Sequence, residues 1–338
     1  MGQPPARTPR VLVSRRVPAA VHRALDATFD LDYHDSEIPL PRAELLARAA
    51  GSDGIVTTLT ERADAELIDA ASPRLCVVAN YAVGFDNVDL DAASARDVLV
   101  SNTPDVLTAA TAEFAVALML SLLRRVTEGD RFLRRREPWI WAPTMMLGPG
   151  LAGRTLGIVG YGRIGREVAR LARAVGMNVI CTDIAAPAAG DDGHVPLPRL
   201  LDDADIVSLH CPLVPETRHL IGREELARMR GDAFLVNTAR GPIVDEQALV
   251  DALRAGQIAG AALDVFEAEP RVTDALLEFD NVVVTPHLAS ATQDAREAMG
   301  RLCLDALDAV LLRGEPPRNA LNASRVRLAA PRIRRPAP

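Results

Sequence analysis

The feature that most constrains this chain is a strand, a glycine turn and a helix run together without a gap. Leu156–Val159 is a short apolar run, Gly160-Tyr161-Gly162-Arg163-Ile164-Gly165 follows at once, and Glu167–Val175 has helical periodicity. A G-x-G-x-x-G cluster alone often marks an ordinary tight turn. Between a strand and a helix it is the fingerprint of a dinucleotide-binding βα unit. In such a unit the first glycine permits the turn, the second lets the backbone approach a pyrophosphate, and the third lets the helix close on the strand. The helix start adds free N–H groups and a positive dipole end. Asp183, eighteen residues after Gly165, stands where an acid accepts both ribose hydroxyls of NAD and repels a 2′-phosphate. Its neighbours Thr182 and Ile184 offer no arginine to hold such a phosphate, so the pattern favours NAD over NADP. The plainer reading of Asp183 is a helix cap or a loop acid.

Around this unit, short apolar runs alternate with amphipathic segments, the signature of an α/β fold with parallel sheets. The first hundred residues offer strands at Arg10–Ser14, Gly54–Thr58, Leu75–Ala79 and Val98–Ser101, with helices at Ala19–Thr28, Arg42–Ala49 and Ala63–Ala71. A second series offers strands at Leu156–Gly160, Asn178–Thr182, Ile206–His210, Ala233–Asn237, Gly260–Val265 and Asn281–Thr285, as a doubly wound sheet requires. One more long helical stretch, Ser290–Leu312, follows. At 338 residues the chain suits two domains. The segment Arg131–Gly150 differs from its surroundings. Trp139, Ile140, Trp141, Met145 and Met146 lie among Pro and Gly, which suggests an arm packed on another subunit or a cover for its own domain.

Composition removes several function classes. All 38 basic residues are arginine, so chemistry that needs a lysine amine is excluded: a Walker A loop, a Schiff-base enzyme, a Tyr-Lys dehydrogenase pair. The net charge of −7 and the absence of a basic stripe in the body argue against a nucleic-acid partner. Arg325, Arg327, Arg332, Arg334 and Arg335 near the end read as a solvated terminus. Cys76, Cys181, Cys211 and Cys303 show no metal-ligand spacing, so no metal site is expected. Met1 to Arg10 is polar and Pro-rich, and the apolar run Phe114–Leu123 is too short to cross a membrane. A reducing cytoplasm is the expected setting, without a membrane partner.

Three polar residues stand just beyond strands of the second series. Arg240 follows Ala233–Val236 in Asn237-Thr238-Ala239-Arg240-Gly241, Glu269 precedes Pro270 after Leu263-Asp264-Val265, and His287 follows Thr285-Pro286. The carboxyl ends of strands in a doubly wound sheet line the ligand crevice, so all three can converge beside a nicotinamide. Hydride transfer to a ketone carbon leaves negative charge on oxygen, which a histidinium can protonate. A carboxylate on the other ring nitrogen favours the charged imidazole, and a guanidinium grips a substrate carboxylate in a bidentate fork. Each residue alone is more often a cap or a surface pair; their order behind the dinucleotide motif raises them together. His22, His34, His194, His210 and His219 lack such partners and read as structural.

From Arg10 to Leu321 the chain resembles the D-isomer-specific 2-hydroxyacid dehydrogenases, most of all the glyoxylate/hydroxypyruvate reductases. The resemblance is carried by Asn80–Asp89, Leu156–Gly165, Ser208–Leu213, Asn237–Gly241, Leu263–Pro270 and Thr285–Thr292. It implies a Rossmann cofactor domain of residues 104–287 inserted in a flavodoxin-like substrate domain of residues 1–103 with 288–338. Hinges near Thr103-Pro104 and Pro286-His287 would let closure expel water from the hydride path. It also implies Arg240, Glu269 and His287 as the catalytic trio, with NADH as the cofactor. Substrate contacts would come from Leu59, from the Val83–Gly84 amides that hold a carboxylate, and from Trp141 on an arm reaching the partner of a homodimer. For the cofactor, the resemblance implies Arg163 and Ile164 at the pyrophosphate, Cys211, Pro212 and Thr217 around the adenosine, and Asp264 at the nicotinamide. Thr108, Thr238, Ala239 and Ala289 would lie nearby.

Subfamily is narrowed by differences. A phosphoglycerate dehydrogenase is expected to carry arginine near Thr57-Thr58-Leu59, phosphite dehydrogenases carry lysine at Val83, and formate dehydrogenases pair the histidine with glutamine. Leu288-Ala289 replaces a glycine-containing version and would narrow the pocket. The expected reaction is NADH-dependent reduction of glyoxylate or hydroxypyruvate to the D-2-hydroxy acid. A bulkier 2-oxo acid, set by Leu59, Trp141 and Met146, a phosphoglycerate dehydrogenase-like enzyme and an NADH-sensing corepressor are the alternatives.

Overall fold

A computed structural model describes residues 7–136, 138–184 and 193–328. Residues 1–6 of the polar N-terminal stretch, and Arg332, Arg334 and Arg335 of the basic tail, lie outside them. The chain divides into two compact units, Met1–Leu107 with Thr292–Pro338, and Thr108–Ala291.

The first unit holds strands β1 (Arg10–Val13), β2 (Asp30–Tyr33), β3 (Gly54–Thr57), β4 (Val77–Asn80) and β5 (Leu99–Ser101) in the order β2-β1-β3-β4-β5. Every ladder is parallel, and the order is that of flavodoxin. Leu12, Ile55, Val78 and Val100 share one core with Leu45, Leu67 and Ile68 of helices α2 (Arg42–Ala49) and α3 (Ala65–Ala71); α1 (Ala19–Asp26) packs instead with the long C-terminal helix Gln293–Asp308. Helix α4 (Leu90–Ala95) completes the unit. The sequence reading missed β2 because Asp30-Leu31-Asp32-Tyr33 has no apolar run. It is an edge strand, and its Asp32 carboxylate pairs with Arg10 and Arg48, so the charge costs little there. Past the C-terminal helix, Leu321 and Asn322 bond to Val100 and cover the β5 edge.

The second unit opens with α5 (Thr108–Leu123) and α6 (Val126–Arg134). The arm is therefore helical as far as Arg134, where an Arg134–Asp130 pair supports the last turn, and irregular beyond. The sheet holds β6 (Thr155–Val159), β7 (Asn178–Thr182), β8 (Ile206–Leu209), β9 (Phe234–Asn237), β10 (Gly260–Leu263) and β11 (Val282–Val284), in the order β11-β10-β9-β8-β6-β7. All of its ladders are parallel, and a lone parallel bridge from His194 to Cys181 extends the β7 edge. Successive residues feed opposite faces, as a sheet covered on both sides requires. Leu156, Ile158, Val236 and Ala262 join α5 and α7 (Arg163–Ala174) in one core. Val207, Leu209, Leu235 and Leu263 join α8 (Leu197–Asp203), α9 (Arg223–Arg228) and α10 (Glu246–Arg254) in the other. A short helix α11 (Asp274–Leu277) precedes β11. No helix among the described residues is long and apolar enough to cross a membrane.

Candidate active site

The parallel register of the second sheet brings its strand ends to one edge. Val159 pairs with Thr182 and Leu209, Leu209 with Asn237, Asn237 with Leu263, and Leu263 with Val284. The residues that follow are Gly160, Asp183, His210, Thr238, Asp264 and Thr285. Most of the expected site thus sits on six neighbouring loops of one unit.

Two glycines of the β6–α7 turn have a steric reason. Gly160 has φ of +93°, and a Cβ there would lie 2.4 Å from the Cys211 backbone nitrogen. A Cβ on Gly165 would lie 2.2 Å from the Gly160 carbonyl oxygen, so only glycine lets α7 close on the strand. Gly162 faces open space, with nothing within 4 Å of an added Cβ, and no side chain caps the helix it starts. Gly162 and Arg163 are exposed, and Ile164 is half-buried. The Asp183 carboxylate folds back on this turn and accepts the Tyr161 N–H at 2.5 Å. Thr238 Oγ1 is buried without a hydrogen-bond partner among the described residues. An uncapped helix start, a bare glycine beside it, an acid at the next strand end and an unsatisfied hydroxyl fit a dinucleotide. Burial pushes the Cys211 thiol up to about 11, so it is a neutral wall here, and Pro212 beside it is exposed. The Thr217 hydroxyl donates to the Pro212 carbonyl and accepts from Val214, which bends this loop from within. Thr108 opens α5 and is half-buried.

The three polar residues come together on the adjoining loops. Asn237, the last residue of β9, donates to the Arg240 carbonyl at 2.9 Å and accepts from the Ala239 N–H, closing the turn that presents Arg240. His287 has φ of +55°, and its N–H donates to the Asp264 backbone carbonyl at 2.8 Å. Its ring Nδ1 lies 3.0 Å from Glu269 Oε2, with the side chains 22% and 29% exposed. With Nδ1–H donating to the carboxylate, Nε2 is the nitrogen left to deliver a proton. Burial pushes the Glu269 carboxyl up, but the His287 hydrogen bond and charge, the Phe266 N–H and the Arg240 charge together hold it below the usual carboxylate range. Glu269 is therefore ionised at neutral pH.

The remaining expected substrate residues belong to the first unit or to the arm. Leu59, Val83 and Gly84 lie just beyond β3 and β4 and are half-buried. Trp141 is 74% exposed at the surface of its own chain. No group of three or more His, Cys, Asp or Glu side chains among the described residues is placed to hold a metal.

Comparison with known proteins decides the family. Residues 116–289, just over half of the chain, match the model of the D-isomer specific 2-hydroxyacid dehydrogenase NAD binding domain. This chain belongs to that family. The dehydrogenase is 45% identical over 330 residues to a glyoxylate reductase from Korarchaeum cryptofilum, covering 96% of this chain and 98% of that one. Among solved structures, a protein from Thermus thermophilus matches with a TM-score of 0.87 and 44% identity, over 92% of this chain and 99% of that one. An NADPH-dependent glyoxylate/hydroxypyruvate reductase from Sinorhizobium meliloti, solved with NADP and malonate, matches with a TM-score of 0.83 and 35% identity, over 96% of this chain and all of that one. The chain is an NAD(P)-dependent oxidoreductase of α/β architecture.

The structure of the dehydrogenase also shows residues whose parts the sequence reading missed. A Cβ on Gly241 would lie 1.9 Å from the Phe266 carbonyl carbon, so this glycine lets the Arg240 turn reach the backbone that leads to Glu269. Glu246, 7% exposed at the start of α10, accepts from the Glu267 N–H and the Thr273 hydroxyl, and so clamps both ends of the Glu269 loop. An acid in the first turn of a helix reads as a dipole complement, which hid this one. Asp264 is fully buried and accepts from Thr285 Oγ1 at 2.6 Å, Leu288 N at 2.7 Å and Ala289 N at 2.8 Å. Its carboxylate thus holds both flanks of His287. Burial raises that carboxyl above its ordinary value, against the pull of these three donors.

Proposed function

We propose that this dehydrogenase reduces a small 2-oxo acid, glyoxylate or hydroxypyruvate, to the D-2-hydroxy acid with NADH. The observation that carries the reading is the 3.0 Å His287–Glu269 pair, with Arg240 close enough to act on the Glu269 charge. The glyoxylate reductase relatives support the substrate class.

The cofactor would be held by Gly160, Gly162, Arg163, Ile164 and Gly165 at the pyrophosphate and by Asp183 at the ribose. Cys211, Pro212 and Thr217 would flank the adenosine, and Thr108, Thr238, Ala239, Asp264 and Ala289 would lie toward the nicotinamide. When bound, it supplies the hydride. The chain's own residues do the rest. Arg240 grips the substrate carboxylate and draws charge from its carbonyl. His287 gives the proton on Nε2 to the carbonyl oxygen as negative charge develops there. Glu269 holds the ring in that tautomer and stabilises its charged form. On the first unit, the Val83 and Gly84 N–H groups bind the carboxylate, and Leu59 limits the substrate's side chain.

NADH is favoured over NADPH because Asp183 carries negative charge at the ribose position, and Thr182 to Asp192 contains no arginine. The Sinorhizobium meliloti relative is NADPH-dependent, so the choice rests on these local residues rather than on the family. A homodimer fits the exposed Val126, Leu133, Trp139, Ile140 and Trp141, which stand 55–85% exposed. In it Trp141 would serve the second copy's site. The four cysteines, scattered along the chain, suit the reducing cytoplasm. A panel of 2-oxo acids assayed with NADH and with NADPH tests the reading. Turnover of the shortest acids with NADH supports it, and no turnover of any 2-oxo acid overturns it.

A further inference from the structure

We infer that Asn87 is a positioning residue for substrate length, because its amide ties the loop bearing Leu59 to the turn bearing Val83 and Gly84. The inference rests on the reading of those three residues as substrate contacts. All of the geometry lies within the first unit.

Strands β3 and β4 are neighbours, with Thr57 paired to Asn80. Beyond them the chain continues into Thr58–Glu61 on one side and Tyr81–Gly84 on the other. Asn87 Nδ2 donates to the Thr58 carbonyl and to the Glu61 carbonyl, each at 3.0 Å, and so spans the two residues that contain Leu59. The same side chain meets the Asn80 amide, with Nδ2 3.2 Å from Asn80 Oδ1. Asn80 Nδ2 in turn donates to the Gly84 carbonyl at 2.9 Å, and Asn102 Nδ2 to the Val83 carbonyl at 2.8 Å. Both carbonyls of the Val83–Gly84 turn are thus taken by side-chain amides. No hydrogen bond among the described residues takes up the N–H of Val83 or of Gly84. That arrangement suits a carboxylate, because two N–H groups are offered while the competing carbonyl dipoles are held elsewhere.

Only a primary amide does what Asn87 does. It has two N–H donors on one nitrogen for the carbonyls and Asn80 Oδ1, and an acceptor oxygen that lies 3.4 Å from Asn80 Nδ2. Aspartate would set a carboxylate against two carbonyl oxygens, and alanine would leave both carbonyls without this donor. The distance from Leu59 to the carboxylate-binding turn, and hence the length of 2-oxo acid accepted, is set through this one side chain.

The test compares wild type, Asn87→Ala and Asn87→Ser, each alone and with Leu59→Ala, in NADH-dependent reduction of glyoxylate and of 2-oxobutanoate. NADH affinity and thermal melting are measured alongside. Losing a partly buried donor of this kind is expected to raise KM for glyoxylate about tenfold while kcat changes little. The preference for glyoxylate over 2-oxobutanoate should fall, with NADH affinity unchanged, and the fall should be absent in the Leu59→Ala background. Unchanged preference in a folded Asn87 variant overturns the inference, as does an equal loss of kcat on both acids. If Asn87→Ala does not melt cooperatively, Asn87→Ser, which keeps a single donor, carries the same expectation. Wild-type protein inert toward every 2-oxo acid removes the functional reading itself, and that result is distinguishable because it needs no variant.

Discussion

The strand ends of the two units are braced by different mixtures of groups. In the second unit, the Asn237 amide closes the Arg240 turn, and carboxylates brace the loops of Glu269 and His287. Asp264 holds both flanks of His287, Glu246 clamps the loop of Glu269, and Glu269 meets the imidazole. In the first unit, side-chain amides do it, through Asn80, Asn87 and Asn102. A buried acid near that edge, Glu61, has its charge matched. Burial pushes its carboxyl up, but Thr58 and the Arg15 guanidinium at 2.6 Å hold it below the usual range. The difference suits what each edge is proposed to hold. Negative charge around an imidazole favours its protonated form, while negative charge around a turn proposed to bind a carboxylate would repel that ligand. A neutral amide also fixes a backbone and adds no net charge.

The most direct way to break this comparison is to remove the imidazole. His287→Ala should lower kcat by about 10²–10⁴, the usual worth of a positioned acid, and leave NADH affinity nearly intact. Steady-state kinetics with a fluorescence titration of NADH separates the two; lost cofactor binding would mean that His287 is structural. Next in size is Gly241→Ala. A Cβ placed 1.9 Å from backbone cannot be relieved by a rotamer change, so the Arg240 turn and the 266–267 backbone must part. Overpacking of this kind costs at least about 1–3 kcal/mol. Thermal melting should show a clear drop, with activity lost beyond it because Arg240 and Glu269 separate. An unperturbed melting temperature would show that the close approach is dispensable.

Much of the second unit was legible in the sequence, because its strands are apolar runs followed at once by polar or glycine-rich turns. Leu156–Val175 shows strand, turn and helix within twenty residues, and Gly160 and Gly165 occupy positions where only a hydrogen side chain fits. Arg240, Glu269 and His287 were legible through their place after strands. The first unit was harder to read. Strand β2 carries Asp30 and Asp32, and only the pairing of Asp32 with Arg10 and Arg48, distant in sequence, explains them. The bracing residues were illegible for a related reason. Glu246 looks like any first-turn acid, and Asn87 like any loop amide, until folding brings Glu267 and Thr273 to one, and Thr58, Glu61 and Asn80 to the other.

Glu246 offers a sharper test, since Glu246→Gln puts the amide chemistry of the first unit into the second. The Glu267 N–H needs only an acceptor, so the Gln variant should keep most of kcat, while Glu246→Ala should lose about tenfold as the Glu269 loop loosens. A loosened loop weakens the His287–Glu269 pair. The Glu269 carboxyl lies below its ordinary range when folded, so its stabilising contribution is present above that range and is lost as pH falls through the lowered value. The melting difference between wild type and Glu246→Ala should therefore shrink in acid. An Ala variant with wild-type kcat and the same melting behaviour across pH would leave Glu246 no part in positioning.

The smallest expected effect concerns the carboxylate at the far side of the same edge. Asp183 accepts the Tyr161 N–H, so it helps shape the glycine turn besides its proposed place at the ribose. Its neighbour Ile184 is 91% exposed, which means that a longer side chain there meets no packing cost. Asp183→Ser with Ile184→Arg removes the repelling charge, keeps a short hydrogen-bonding group beside the turn, and adds a guanidinium for a 2′-phosphate. NADPH should gain several-fold in kcat/KM relative to NADH, with the discrimination among 2-oxo acids unchanged because the first unit is untouched. If the cofactor ratio stays fixed while stability falls, Asp183 serves the turn alone, and NADH selection must lie in residues other than this acid.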